Sequence, residues 1–254
     1  MVSDMHSIRA SAKQALVTMT GALWPGRSLV SGEPADGALS AEDFAALSFL
    51  TGALCPSCAR PHGIDLGPDT VCAACIARPP VWTRAHAALA YDDVSRIPIL
   101  ALKRAGRRDG LKVMANWMAI SGAPSLAAAD LIMPVPLHYF RLVKRGYNQS
   151  GWLASAISAT SGVRVDHTAL NRVRATPSQA GLSARARHKN VQGAFRVSKR
   201  GRKKIDGKTV ILVDDVMTTG ATLKAASKAL LKAGARQVDV LVLARVVKPE
   251  EITI

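Results

Sequence analysis

Apolar and polar positions change rhythm near residue 79, and from there the chain reads as buried strands alternating with amphipathic helices. Residues 81–91 (VWTRAHAALAY) predict a first strand, and residues 97–104 and 111–118 predict helices. A short break at residues 122–124 then precedes an apolar strand over 131–135. Helical spacing returns at residues 152–160. The run Val210, Ile211, Leu212, Val213 is a buried-type strand. The helix after it places Leu223, Ala226, Leu230 and Ala233 on one face and Lys224, Lys228 and Lys232 on the other, stopping at Gly234. A last strand over 238–247 completes a βαβ unit, so the predicted sheet is parallel.

Composition agrees with an α/β class. Of 254 residues 48% are apolar but only 4% aromatic, which suits helices packed on strands better than an all-β sandwich. That length accommodates one ordinary domain and a smaller module, and the change of composition sets the boundary: residues 1–78, then residues 79–254. A net charge of +16 attracts phosphates, nucleic acid or anionic lipid without choosing among them. Every apolar run is interrupted by Pro, Gly or charge before it reaches bilayer length, so no membrane span is expected. The first 24 residues read as an amphipathic helix, with a faint likeness to a secretory signal. The expected location is cytoplasmic, where thiols stay reduced.

All four cysteines fall in two pairs, Cys55-Pro-Ser-Cys58 and Cys72-Ala-Ala-Cys75. Two residues between thiolates let both sulfurs reach one ion from a tight turn, and a second pair completes the tetrahedral set that Zn²⁺ prefers. The expectation is one structural zinc in a ribbon; a redox pair and disulfides are the competing readings. Upstream, Ser28, Ser31, Ser40 and Asp43 repeat the same x-x spacing, either as a degenerate ribbon or by coincidence. Hydroxyls are poor zinc ligands, so no metal is expected there.

Three segments carry candidate phosphate chemistry. The first is a predicted basic loop, Arg141, Lys144 and Arg145 before Gly146-Tyr147-Asn148-Gln149, which follows the strand at 131–135. Loops at that end of an α/β sheet bind ligands, and these cations suit a pyrophosphate; a solvated basic turn is the plainer reading. The second, residues 171–195, holds Arg172, Arg174, Arg185, Arg187 and Lys189 without an acid. It reads as a mobile flap over an anion, a nucleic-acid contact or a soluble loop. Residues 201–204 (GRKK) are expected to be a solvated turn. The third segment is Asp214-Asp215-Val-Met-Thr218-Thr219-Gly220-Ala221-Thr222, between strand and helix. Amides and hydroxyls of a Thr/Gly loop at a helix N-terminus wrap a phosphate, and Gly220 permits close approach. The two carboxylates stand one step away, within reach of ribose hydroxyls or a bound Mg²⁺.

These motifs together resemble the ComF-type competence family, which joins an N-terminal zinc ribbon to a type I phosphoribosyltransferase-like domain. The likeness rests on the paired CxxC, Leu102-Lys103…Gly106-Arg107, Pro134-Val-Pro136-Leu, Arg145-Gly-Tyr-Asn-Gln149, Thr176-x-x-Gln179…Arg187…Asn190-Val191…Ala194-Phe195 and the 214–222 loop. The resemblance implies that Asp214 and Asp215 face the ribose of phosphoribosyl pyrophosphate. It implies that Thr218, Thr219, Gly220, Ala221 and Thr222 hold the ribose phosphate. Lys144, Arg145 and Arg187 would meet the pyrophosphate, which arrives with Mg²⁺. Members commonly carry a double zinc ribbon, so the Ser28/Ser31/Ser40/Asp43 pattern is a departure. Two functions follow as expectations. One is a phosphoribosyltransferase with an unidentified acceptor, set in competence and DNA uptake. The other is a non-catalytic, nucleotide-sensing adaptor that meets single-stranded DNA or a competence helicase through its ribbon and basic surface.

Overall fold

In the computed structural model, residues 26–64, 67, 69–105, 108–175 and 190–247 are described. The chain divides into two compact units, Met1–Leu47 and Ser48–Ile254. The composition change at 78–80 lies inside the second, so the four cysteines belong to the same unit as the sheet.

In the first unit the described residues form a turn followed by the short helix α1 (Ala41–Ala45), capped by Ser40, whose side chain accepts from the Asp43 amide. In the second unit α2 (Ala73–Ala77) carries the last cysteine. Strand β1 (Ala85–Ala90) follows, then α3 (Arg96–Leu100), which runs on into a π-helical turn, Ala101–Ala105. Helices α4 (Leu111–Ser121) and α5 (Ala123–Ala127) lead to β2 (Leu131–Pro134), and α6 (Tyr139–Arg145) and α7 (Gln149–Ser161) come next. The remaining elements are β3 (Leu170–Arg172), β4 (Phe195–Val197), α8 (Lys199–Ile205), β5 (Thr209–Met217), α9 (Ala221–Lys232) and β6 (Gln237–Arg245).

The main sheet has the order β1-β6-β5-β2 and is parallel throughout, with Val213 opposite Leu241 and Pro134 opposite Val213. Its central strands are almost continuously buried, as expected where helices cover both faces. Helix α4 packs on β1 and β6, α7 on β2 and β5, and α9 on β5 and β6. The short antiparallel pair β3-β4 stands apart from this sheet, and α9 also touches it. A doubly covered parallel sheet delivers its strand C-termini to one edge, which is where such folds bind ligands.

Three local expectations change. Residues 139–145 form helix α6 rather than a basic loop, because His138 caps its start by accepting from the Phe140 amide and Gly146, at φ +79°, ends it. The predicted turn at 201–204 lies within α8, capped by Ser198, which accepts from Gly201 N at 3.0 Å. Gly201 is there for closeness: a Cβ would come 2.8 Å from Ala169. The strand before the Thr/Gly loop runs on through Asp214 and Asp215 to Met217, so both acids hang on a rigid ladder.

Candidate functional site

The site is built where β5 becomes α9. Asp214 and Asp215 lie near the C-terminal end of the strand, Thr218 and Thr219 are exposed, and Gly220 caps the helix in the left-handed region at φ +72°. A Cβ there would also sit 2.9 Å from Cη2 of Trp82, so glycine is required both for the turn and for the space. Asp214, Thr218, Gly220, Ala221 and Thr222 line a small cavity of about 40 Å³. Helix α9 is 12 residues long and begins at this cavity, so its unpaired amides and positive dipole end face the same space.

The acids are fixed from α7 and the π-helical turn. Asp215, 5% exposed, accepts from Lys103 Nζ at 3.0 Å and from Gln149 Nε2 at 2.7 Å. Asp214 accepts on Oδ1 from Ser150 Oγ at 2.9 Å and from the Asp215 amide at 3.0 Å. Enclosure, and secondarily the Asp215 carboxylate beside it, push the Asp214 carboxyl up to about 7. Two adjacent acids, one reluctant to ionise, form a setting that a cation or a hydrogen-bond donor completes. Upstream, Arg145 Nη1 donates to Gln149 Oε1 at 2.7 Å, so Arg145, Gln149, Asp215 and Lys103 make one chain of contacts. Lys103 is itself placed by Tyr147, whose hydroxyl donates to the Lys103 carbonyl at 3.1 Å. Tyr147 stacks on Trp152 at 4.2 Å between centroids, and Arg108 covers the Trp152 ring at 3.9 Å.

Of the residues expected to bind substrate, the structure brings together the acids, the 218–222 loop and, through Gln149, Arg145. Lys144 is exposed, and among the described residues no hydrogen bond or ion pair joins it to the cluster. Arg187 lies outside the described residues. Lys103, Gln149 and Ser150 had no role assigned from sequence. Lys103 and Gln149 stand in the family-like motifs, whereas Ser150 is marked only by following Gln149 on the helix.

The second cluster is the cysteine tetrad. Sγ atoms of Cys55, Cys58, Cys72 and Cys75 all lie within 4.8 Å of one another, and Cys58 and Cys72 are 3.8 Å apart. A tetrahedron with metal–sulfur bonds of about 2.3 Å has sulfur–sulfur edges of about 3.8 Å, so the four thiols fit one metal ion. A hydrogen bond from Cys58 pulls the Cys55 thiol down to about 4, the behaviour of sulfurs crowded enough to share a negative charge. The first knuckle is a turn in which the Cys55 amide donates to Arg60 O and the Ala59 amide to Cys55 O, both at 2.8 Å, with Ala59 at φ +55°.

Within the first unit the same backbone pattern recurs without sulfur. The Ser28 amide donates to Glu33 O at 2.8 Å, the Gly32 amide to Ser28 O at 3.0 Å, and Gly32 has φ +77°. Bridges Arg27↔Pro34 and Leu54↔Pro61 close the two turns alike. Ser40 caps α1 as Cys72 begins α2, and Asp43 then holds the corner. Its Oδ2 accepts from Ser28 Oγ, from Ser31 Oγ at 2.6 Å and from the Ser31 amide at 3.1 Å. A carboxylate receiving three hydrogen bonds thus stands in the first unit where the second unit has its four-thiol cluster.

Residues 120–251 match the family model described as the phosphoribosyl transferase domain. The chain is 33% identical over 197 residues to the DNA utilization protein YhgH of Salmonella typhi, covering 76% of this chain and 84% of that one. It is 39% identical over 120 residues to competence protein F of Haemophilus influenzae, covering 47% of this chain and 52% of that one. The chain belongs to the ComF family. It is also 28% identical over 201 residues to competence protein ComFC of Bacillus subtilis, covering 74% and 75% of the two chains. The matched domain includes Arg145, Gln149, Ser150 and the 214–222 loop but stops short of Lys103 and the cysteines. Among the described residues no helix is long and apolar enough to cross a membrane.

Proposed function

We propose that this ComF-family chain binds phosphoribosyl pyrophosphate as its Mg²⁺ complex and transfers the phosphoribosyl group to a nucleophilic acceptor. The observation that carries this reading is the direct passage from two anchored carboxylates on β5 into a Thr/Gly loop that caps α9. In this reading the loop amides and the hydroxyls of Thr218, Thr219 and Thr222 hold the ribose phosphate, and Asp214 and Asp215 accept from the ribose hydroxyls. Arg145, tied to Asp215 through Gln149, stands on the side of the leaving pyrophosphate. Mg²⁺ brought with the substrate neutralises charge on the leaving group. The acceptor's lone pair forms the new bond at the anomeric carbon as the bond to pyrophosphate oxygen breaks, and pyrophosphate departs with that electron pair. Asp214 and Asp215 stabilise the positive charge that the ribose carries in this transition state. The tetrad holds one structural zinc, and the reduced thiols suit a cytoplasmic setting.

Calorimetric titration of Mg²⁺–phosphoribosyl pyrophosphate into wild type and an Asp214→Asn, Asp215→Asn double variant tests the site. Binding by wild type that the variant loses supports it, and pyrophosphate release with candidate bases and amines then identifies the acceptor. A folded wild type that does not bind overturns the reading.

A second reading, as an adaptor contacting single-stranded DNA, is favoured by a separate surface. Cavities of about 490 Å³ and 800 Å³ adjoin at Phe195, Ala229 and Lys232. Lys224, Lys228 and Lys232 line one of them, and Arg196, Lys199, Arg202 and Lys203 surround the other, with no acid among the described residues of either lining. Lysines four apart on α9 recur about every 6 Å along the helix, forming a cationic track for a phosphate backbone. The names of the relatives, DNA utilization and competence proteins, give this reading its setting.

A further inference from the structure

Between the cysteine tetrad and the phosphate loop stand two side chains that neither site uses for its own chemistry. Trp82, 8% exposed, donates its indole N–H to Ser57 O at 2.7 Å, and Ser57 is one of the two residues inside the first knuckle. The other edge of that ring lies under Gly220, close enough that a methyl group on Gly220 would be 2.9 Å from it. Next to the tryptophan the knuckle is also pinned to the sheet, because the Ala85 amide donates to Pro56 O at 2.8 Å. Arg245, at the end of β6 and 6% exposed, donates from Nη1 to Thr218 O at 2.9 Å. Cys58, Cys75, Trp82, Thr219, Gly220 and Arg245 line one cavity of about 220 Å³.

Arg60, Arg78 and Lys224 line the same cavity and, among the described residues, no carboxylate does. Such a set invites the idea of a second anion site. A metal ion held by four thiolates, however, would carry a net charge of about −2, and Cys58 and Cys75 line this cavity together with the cations. A metal-loaded tetrad would itself supply the negative charge that these cations balance.

We infer that Trp82 and Arg245 are positioning residues through which the metal-loaded knuckle fixes the shape of the 218–220 loop. The indole is held by a carbonyl whose direction the closed knuckle sets, and it presents a flat wall that Gly220 must follow. The guanidinium is drawn towards the thiolate cluster and holds the Thr218 carbonyl, which limits the conformations open to the loop. The tetrad is thereby linked to phosphate binding, and linkage is reciprocal: a ligand that tightens the loop must retain the metal by the same factor. This inference rests on the reading of residues 218–222 as a phosphate cradle.

The test uses the full chain loaded with zinc. Trp82→Phe keeps a ring under Gly220 but removes the hydrogen bond to Ser57, and Arg245→Met removes the hold on Thr218. Amide hydrogen exchange is measured over residues 217–224, with the sheet centre around Ile211 and Val240 as internal reference. A lost neutral hydrogen bond corresponds to about tenfold in local opening, so loop exchange is expected to rise about tenfold in Trp82→Phe while the sheet centre is unchanged. Zinc release to a chromogenic chelator is expected to slow when Mg²⁺–phosphoribosyl pyrophosphate is added to wild type, and to lose that protection in both variants. Unchanged loop exchange in Trp82→Phe and Arg245→Met would overturn the inference. If metal stripping unfolds the whole unit, the two zinc-loaded variants decide the matter. Faster loop exchange in a protein that never binds phosphoribosyl pyrophosphate sinks the proposed substrate and leaves the brace standing.

Discussion

Lys103 and Asp215 are 112 positions apart in sequence and 3.0 Å apart in space, an ion pair that ties the π-helical turn to the end of β5. The Asp215 side chain is 7% exposed and that of Lys103 32%, so removing the lysine leaves, among the described residues, an enclosed carboxylate answered by Gln149. Lys103→Met is expected to lower unfolding stability by about 1–3 kcal/mol, less than for a fully enclosed pair because water still reaches the ammonium. It is also expected to weaken Mg²⁺–phosphoribosyl pyrophosphate binding at least tenfold, through misdirection of Asp215. Urea unfolding and calorimetry measure the two effects; full affinity in the variant would remove Lys103 from the site.

Asp214 makes stability depend on pH in a defined direction. Its folded carboxyl is raised to about 7 from an ordinary 3.8, so the folded chain holds a proton that the unfolded chain gives up. This contribution is complete below about pH 4 and is lost as pH rises through about 7, at up to about 1.4 kcal/mol per pH unit. Ligand-free wild type should therefore become less stable between pH 5 and pH 7, and Asp214→Asn should flatten that slope. Substrate carrying Mg²⁺ favours the carboxylate, so its apparent affinity is expected to rise over the same range. Urea midpoints at several pH values compare the two proteins directly.

The parts of this site that were legible in sequence are those written in consecutive residues. The 214–222 loop announces a strand, a turn and a helix N-terminus, and two CxxC pairs announce a tetrad, because spacing alone brings such atoms together. Lys103 and Gln149 were marked by motif but not by role, since their partner Asp215 is reached only through the sheet order β1-β6-β5-β2. Helix α6 was hidden by its charge: Arg141, Lys144 and Arg145 look like a solvated loop until His138 and Gly146 are seen to cap both ends. Trp82 read as part of a strand, and only folding shows it between Ser57 and Gly220.

The cationic surface on α9 and α8 predicts a salt-dependent property separate from phosphoribosyl binding. Lys228 and Lys232 line the groove and lie outside the phosphate cradle. If single-stranded DNA tracks this groove, Lys228→Ala with Lys232→Ala should lower the slope of log affinity against log salt by about 1.4, about 0.7 for each phosphate that is no longer neutralised. Affinity for phosphoribosyl pyrophosphate should stay at the wild-type value. Fluorescence anisotropy with a labelled oligonucleotide at several salt concentrations measures the slope, and an unchanged slope would place any DNA binding elsewhere.

The two knuckle-like turns predict how much metal the protein holds and how much it could be made to hold. Purified chain should contain one zinc, and Cys58→Ser should lose it, because three sulfurs no longer close the tetrahedron. Asp43→Ala should leave the metal content alone while loosening residues 28–33, whose turn is held to Asp43 by Ser28 and Ser31. The sharper test restores what the serine turn lacks. Its hydrogen-bond pattern and left-handed Gly32 copy those of the cysteine knuckle around Ala59, so the backbone already has the shape a metal site needs. Ser28→Cys, Ser31→Cys, Ser40→Cys and Asp43→Cys together should therefore bind a second zinc, giving two per chain by elemental analysis. A stoichiometry that stays at one in the folded variant would mean that the likeness of the two turns ends at the backbone.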